Sequence, residues 1–175
     1  LKSFGFRGEA LASIAAVSEL RITSKTRESE LAHRLSVEFG KPSPIDELSG
    51  VDGTQIRVTS LFENVPARKK FLKSDSAEAT QIKRVVKALA LVHTHVDFRL
   101  KQSGKLLFHW PKSAAFEKRA ESVLGVEDLN HVFGESGESK IESAYSSPNQ
   151  TTGNKQQMWT FIQGRWVQNA TLTAS

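Results

Sequence analysis

The chain has no cysteine among its 175 residues. Disulfides and thiolate metal sites are therefore excluded, and a reducing compartment fits without being required. No apolar run approaches the length of a membrane span, and no basic-then-apolar leader is present. The five histidines are scattered. His93 and His95 would point to opposite faces of an extended segment, with no further ligand near in sequence, so a metal site is not expected. No internal repeat or strongly biased segment is visible. The chain starts at Leu1 and stops at Ser175 inside a helix-like run, and a piece of a longer protein is expected.

What is present is enough apolar residue, 38%, for one ordinary core or two small ones. The formal net charge of +5 is unevenly placed. Leu1 to Lys112 carries 19 basic against 12 acidic side chains, and Ser113 to Ser175 carries 5 against 7. Pro66 to Lys87 alone carries 7 against 2. Such a cluster can hold a polyphosphate backbone, and it can equally be a solvated helix face. Lys83 and Lys87 are the candidates for phosphate contact within it.

Periodicity predicts a helix over Glu9 to Val17, strands over Arg21 to Lys25 and Ala32 to Phe39, a loop over Lys41 to Asp52, and a strand over Gln55 to Thr59. Pro66 suits the first turn of a short helix, where its missing N–H costs nothing. A longer helix is expected from about Ser76 to Thr94, with Asp75 as N-cap and Ile82, Val85, Val86, Leu89 and Val92 as its buried stripe. A hairpin should follow around Ser103-Gly104. Beyond Pro111 come a helix over Phe116 to Leu124, a Gly/Ser/Glu-rich stretch over Glu135 to Ser139, and strands over Lys140 to Tyr145 and Gln157 to Gln163. The expected domain boundary lies near Lys112.

The richest string is Phe4-Gly5-Phe6-Arg7-Gly8-Glu9-Ala10-Leu11. Glycines three apart that open a helix let backbone N–H groups and the helix dipole approach an anion. Read alone, it is a plain turn and helix start in most proteins. A second string runs from Gly53-Thr54 through Leu61-Phe62-Glu63-Asn64-Val65-Pro66-Ala67-Arg68-Lys69-Lys70-Phe71, and a third is Phe161-Ile162-Gln163-Gly164-Arg165-Trp166-Val167. Together and in this order they resemble motifs of the MutL family of DNA mismatch-repair ATPases, which share the GHKL fold. Gln163 replaces the family's usual Asn. Ala170 stands where members often carry another basic residue.

That resemblance implies an α+β fold. Residues 1–112 would form the latter part of a GHKL (Bergerat-type) ATPase sandwich, with a sheet of mixed strand direction. Residues 113–175 would begin a ribosomal-S5-like α/β domain. It further implies that the backbone of Gly5, Phe6, Arg7 and Gly8 lines the ATP phosphates, that Thr54 lies at the nucleotide pocket, and that Arg165 reaches DNA. Glu9 is then a first-turn acid that complements the helix dipole, not a catalytic base. Arg68 is expected to pair with an acid. The Glu-x-x-x-Asn helix that supplies base and Mg²⁺ ligand has no match here, nor has the adenine-reading Asp-x-Gly-x-Gly. The piece is therefore expected not to hydrolyse ATP alone, although its parent should. Implied partners are double-stranded DNA, a second subunit, a MutS-type mismatch sensor, and a downstream nuclease or helicase, in a bacterial cytoplasm. Two other readings remain. A topoisomerase subunit or chaperone of the same fold should lack these motif strings. A non-catalytic nucleic-acid-binding module should bind DNA with steep salt dependence and no nucleotide effect.

Overall fold

The computed structural model describes residues 9–150 and 158–168. The chain divides into two compact units, Leu1–Lys73 and Ser74–Ser175. Lys112 lies inside the second, so compactness in this piece and the expected domain boundary divide the chain differently.

The first unit opens with helix α1, Ala10–Ala15. Strands β1 (Glu19–Lys25), β2 (Ala32–Glu38), β3 (Lys41–Pro42), β4 (Asp46–Leu48) and β5 (Gly53–Thr59) follow, then the single-turn helix α2 (Pro66–Lys69). They form one sheet in the order β3-β2-β1-β5, with β4 also on β2. Every pairing among the described strands is antiparallel, where a mixed sheet was expected. The segment read as a loop over Lys41 to Asp52 contributes two short edge strands. Its prolines and acids hide the pairing, because edge strands tolerate both.

Register gives the sheet two different faces. Leu20, Ile22 and Ser24 lie opposite Val58, Ile56 and Thr54 on β5, and Leu20 and Ile22 also face Val37 and Leu35 on β2. This is the apolar face, on which Leu20 is buried. Glu19, Arg21 and Thr23 point the other way, beside Glu38, Ser36 and Arg34 on one side and Thr59, Arg57 and Gln55 on the other. Alternation of period 2 alone requires this split.

The second unit contains α3 (Asp75–Val92), the hairpin β6 (Phe98–Gln102) and β7 (Lys105–Trp110), α4 (Phe116–Leu124), the hairpin β8 (Asn130–Ser136) and β9 (Ser139–Tyr145), and the hairpin β10 (Thr160–Ile162) and β11 (Arg165–Val167). Ser74, not Asp75, is the N-cap of α3, and Asp75 and Glu78 fall in its first turn, where their charge complements the dipole. The core gathers Ala90, Leu91, Trp110, Ala120 and Val123, with Val86, Phe108, Trp159 and Phe161 packed around it.

The expected stripe on α3 is largely on the wrong side. Ile82, Val85 and Leu89 are 54%, 50% and 45% exposed, whereas Ala88, Ala90 and Leu91 are buried. Small alanines let aromatic neighbours come close, and Phe108 stacks on Trp110 at 4.8 Å in the hairpin below. His93 and His95 also depart from expectation. The chain turns there, and their rings meet edge-on at 5.9 Å. Burial, then the neighbouring His95, lowers the His93 pKa.

Among the described residues Arg119 is the largest fully buried side chain, 1% exposed. It has no carboxylate ion pair among the described residues. Its guanidinium instead donates to the carbonyls of Ala90 (3.2 Å), Thr94 (2.9 Å), Val96 (2.7 Å) and Pro111 (2.7 Å). It thereby satisfies one carbonyl of the last turn of α3 and three in the connecting segments beside it. Burial lowers its pKa, and the charge of Asp97 acts in the opposite sense.

Candidate functional site

Gly5, Phe6, Arg7 and Gly8 lie outside the described residues. The frame immediately after them is described, and it is well tied. Glu9 is the N-cap of α1 rather than a first-turn residue, and its side chain makes no capping bond. At the other end of α1, four hydrogen bonds converge. Gly40 N donates to Ala15 O at 2.9 Å, Phe39 N to Ser18 O at 3.0 Å, and Phe62 N to Val17 O at 2.7 Å. The Asn64 amide donates to Ala16 O at 3.1 Å. Asn64 thus reaches across to the helix end, so the Leu61 to Lys70 string and the helix that follows the glycine-rich string meet at one point.

Thr54 sits near the start of β5, at the end of the sheet's apolar face. Its hydroxyl shares a 2.9 Å hydrogen bond with Ser24. Beside it Lys25 donates to Asp52 at 2.9 Å. Gly53 has φ +115°, a backbone conformation that L side chains rarely adopt. A Gly-Thr pair is thus what lets β5 start beside Lys25. Pro66 occupies the first turn of α2 as expected. Arg68 has no acid partner among the described residues; the ion pair of this helix is Lys69 with Glu63, at 3.1 Å.

The basic residues of α3 are less free than their sequence suggests. Lys87 lies over the Phe108 ring at 5.7 Å. Arg84 lies over Trp166 at 5.0 Å and Trp159 at 5.9 Å. Lys83 lines a cavity of about 300 Å³ with Leu100 and Leu107. Their stems cover aromatic and aliphatic surface while the charges stay accessible. Periodicity makes this face the solvated one. It is the packed one, and the apolar Ile82–Val85–Leu89 line is exposed.

Arg165 is the first residue of β11 and pairs with Ile162 across a two-residue turn. Gln163 and Gly164 in that turn have φ +50° and +76°, the pattern of a type I′ hairpin, which favours Asn-Gly. Gln163→Asn should therefore stabilise the protein, by roughly 0.5 kcal/mol. A thermal melt that shows no gain would contradict this turn assignment.

Comparison with known proteins decides what this frame is. The chain is 38% identical over 175 residues to the DNA mismatch repair protein MutL of Dictyoglomus thermophilum, covering 98% of this chain and 30% of that protein. It is 35% identical over 187 residues to MutL of Clostridium acetobutylicum, covering all of this chain and 29% of that one. The solved ATPase domain of Aquifex aeolicus MutL, complexed with ADP, superposes with a TM-score of 0.84 at 27% identity, over 96% of this chain and 66% of that one. The chain belongs to the MutL family. It comes from the N-terminal ATPase region and spans about 30% of the length of the MutL relatives it matches. The ATPase domain of Thermus thermophilus gyrase B, at 19% identity and a TM-score of 0.52 over 78% of this chain, shares the fold alone. No protein-family model matches. The α+β class is thus that of MutL and gyrase B ATPase domains. Among the described residues, no helix is long and apolar enough to cross a membrane.

Proposed function

We propose that the intact protein uses ATP binding to close a dimer of its N-terminal regions, to clamp double-stranded DNA, and to recruit repair factors. One observation carries the reading. The helix that follows the glycine-rich string is fixed, at its far end, by the Asn64 amide and Phe62 N–H of the second family string. A lid that moves on nucleotide binding would pull on a rigid anchor. The Gly5 to Gly8 backbone would hold the ATP phosphates, with Arg7 at the phosphates or at the second subunit. Thr54 would line the adenine side of the pocket. Base and Mg²⁺ ligand would come from parts of the parent with no counterpart here. That an Aquifex aeolicus MutL ATPase domain was solved with ADP supports the choice of nucleotide.

Residues 1–112 would form the end of a GHKL sandwich, and 113–175 the start of a ribosomal-S5-like domain. A MutS-type sensor upstream, a nuclease or helicase downstream, and a bacterial, nucleoid-associated cytoplasmic setting follow from the family. Lys83 and Lys87 would contribute phosphate contacts on DNA, and Arg165 a further one.

The test is compaction of the full-length protein. With Mg²⁺ and a non-hydrolysable ATP analogue, small-angle scattering should show a more compact dimer, and ADP should not produce it. DNA binding that falls steeply with salt while scattering ignores every nucleotide would favour a plain nucleic-acid-binding module instead.

A further inference from the structure

The polar face of the first unit's sheet carries a cavity of about 690 Å³, opposite the face that holds Thr54. Arg21 and Arg57 stand directly across from each other in its floor, one on β1 and one on β5. Like charges in that position repel. Two other cations of the sheet have acids: Lys25 is paired with Asp52 at 2.9 Å and Arg34 with Asp46 at 3.2 Å. Arg21 and Arg57 have no ion pair among the described residues. Two carboxylates, Glu19 and Glu38, line the same cavity and face each other across β1 and β2. Yet Glu19 accepts from the Thr59 hydroxyl at 3.4 Å, and Glu38 pairs with neither arginine.

The wall of the cavity is built rather than accidental. Ser43 is pinned to the Ser36 carbonyl by both its N–H (2.9 Å) and its hydroxyl (3.1 Å). That ties down the chain just after β3, and keeps Lys41 at the sheet's edge, across from Glu38 and at the cavity's rim. Ser36 lies directly across from Arg21 on β2, and both line the cavity. Two planar forks match a tetrahedral oxyanion, which each guanidinium can bind through paired N–H bonds.

We propose that this cavity binds a phosphate of the DNA backbone, held between Arg21 and Arg57 with Lys41 at the rim. The choice of DNA as the source rests on the mismatch-repair function proposed for the intact protein; the oxyanion chemistry rests on the cavity alone. The contact carries no base information and positions the duplex. It is separate from the α3 lysines and requires no nucleotide.

The experiment uses the full-length protein with Arg21→Gln and Arg57→Gln together. Binding to a short duplex is followed by fluorescence anisotropy across a salt series. The slope of log K against log salt should become shallower by about 0.9, because one DNA phosphate is no longer neutralised. The melting temperature should hold or rise, because a like-charge pair has been removed. Arg21→Lys with Arg57→Lys should keep the slope but weaken binding, since the forks are gone and the charges remain. An unchanged slope in the glutamine variant overturns the proposal, and so does a melting temperature that falls with the slope unmoved. Calorimetry with inorganic phosphate is the second arm. If the glutamine variant no longer binds phosphate but keeps the DNA slope, DNA is overturned as the source and the cavity is assigned to a small phosphate. Nucleotide-driven compaction, measured in the same samples, should be unaffected. Its absence in the wild type would instead indict the ATPase function.

Discussion

Replacing Arg119 with Met should cost the protein roughly 3 kcal/mol or more, since each buried carbonyl left unsatisfied costs about 1–3 kcal/mol. Met fills most of the volume, so a cavity contributes little. The destabilisation comes from four carbonyls, at Ala90, Thr94, Val96 and Pro111, left without their donor. Arg119→Lys should fall between, because an ammonium has three donors on one atom and cannot span four acceptors placed for a fork. Trp110 shares the core with Ala120 and Val123, so tryptophan fluorescence in urea reports the transition. A Met variant that melts within about 1 kcal/mol of wild type would mean that those carbonyls find water instead.

The second large effect concerns the nucleotide. Gly8→Val in the full-length protein should abolish ATP-driven closure while leaving secondary structure and the urea transition in place. The proposed cradle needs backbone N–H groups within hydrogen-bond reach of phosphate oxygens, and a branched side chain at Gly8 would occupy that space. Scattering with a non-hydrolysable ATP analogue is the readout. Closure of the Gly8→Val protein would remove the phosphate assignment for Gly5 to Gly8 and leave the anchored helix without its proposed purpose.

Much of this was legible in the residues. Alternation placed β1, β2 and β5, Ser103-Gly104 placed the β6–β7 hairpin, and the motif strings pointed to the family. Other features escaped for identifiable reasons. The α3 helix carries apolar residues around more than one face, and periodicity could not say that the alanine side would be covered while Ile82, Val85 and Leu89 stayed out. Strand β8 contains Glu135 and Gly134 and looks like a linker; only its partner β9, in register from Asn130–Tyr145 to Ser136–Ser139, makes it a strand. The four-carbonyl role of Arg119 involves residues 8 to 29 positions away, and no local window contains it. The Arg21–Arg57 juxtaposition likewise exists only once β1 and β5 are paired.

The reach of Arg119 also fixes an order of events at the ribosome. Domains generally fold as units while the chain is still being made. Helix α3 ends at Val92, but the side chain that ties down its Ala90 carbonyl, and that of Thr94 just after it, lies 29 and 25 residues further on. As the chain lengthens, α3 must emerge and wait with that end unsecured, showing both its covered and its uncovered apolar faces, until α4 leaves the exit tunnel. A stalled chain that stops short of residue 119 should therefore be a better substrate for a nascent-chain chaperone than one that includes it.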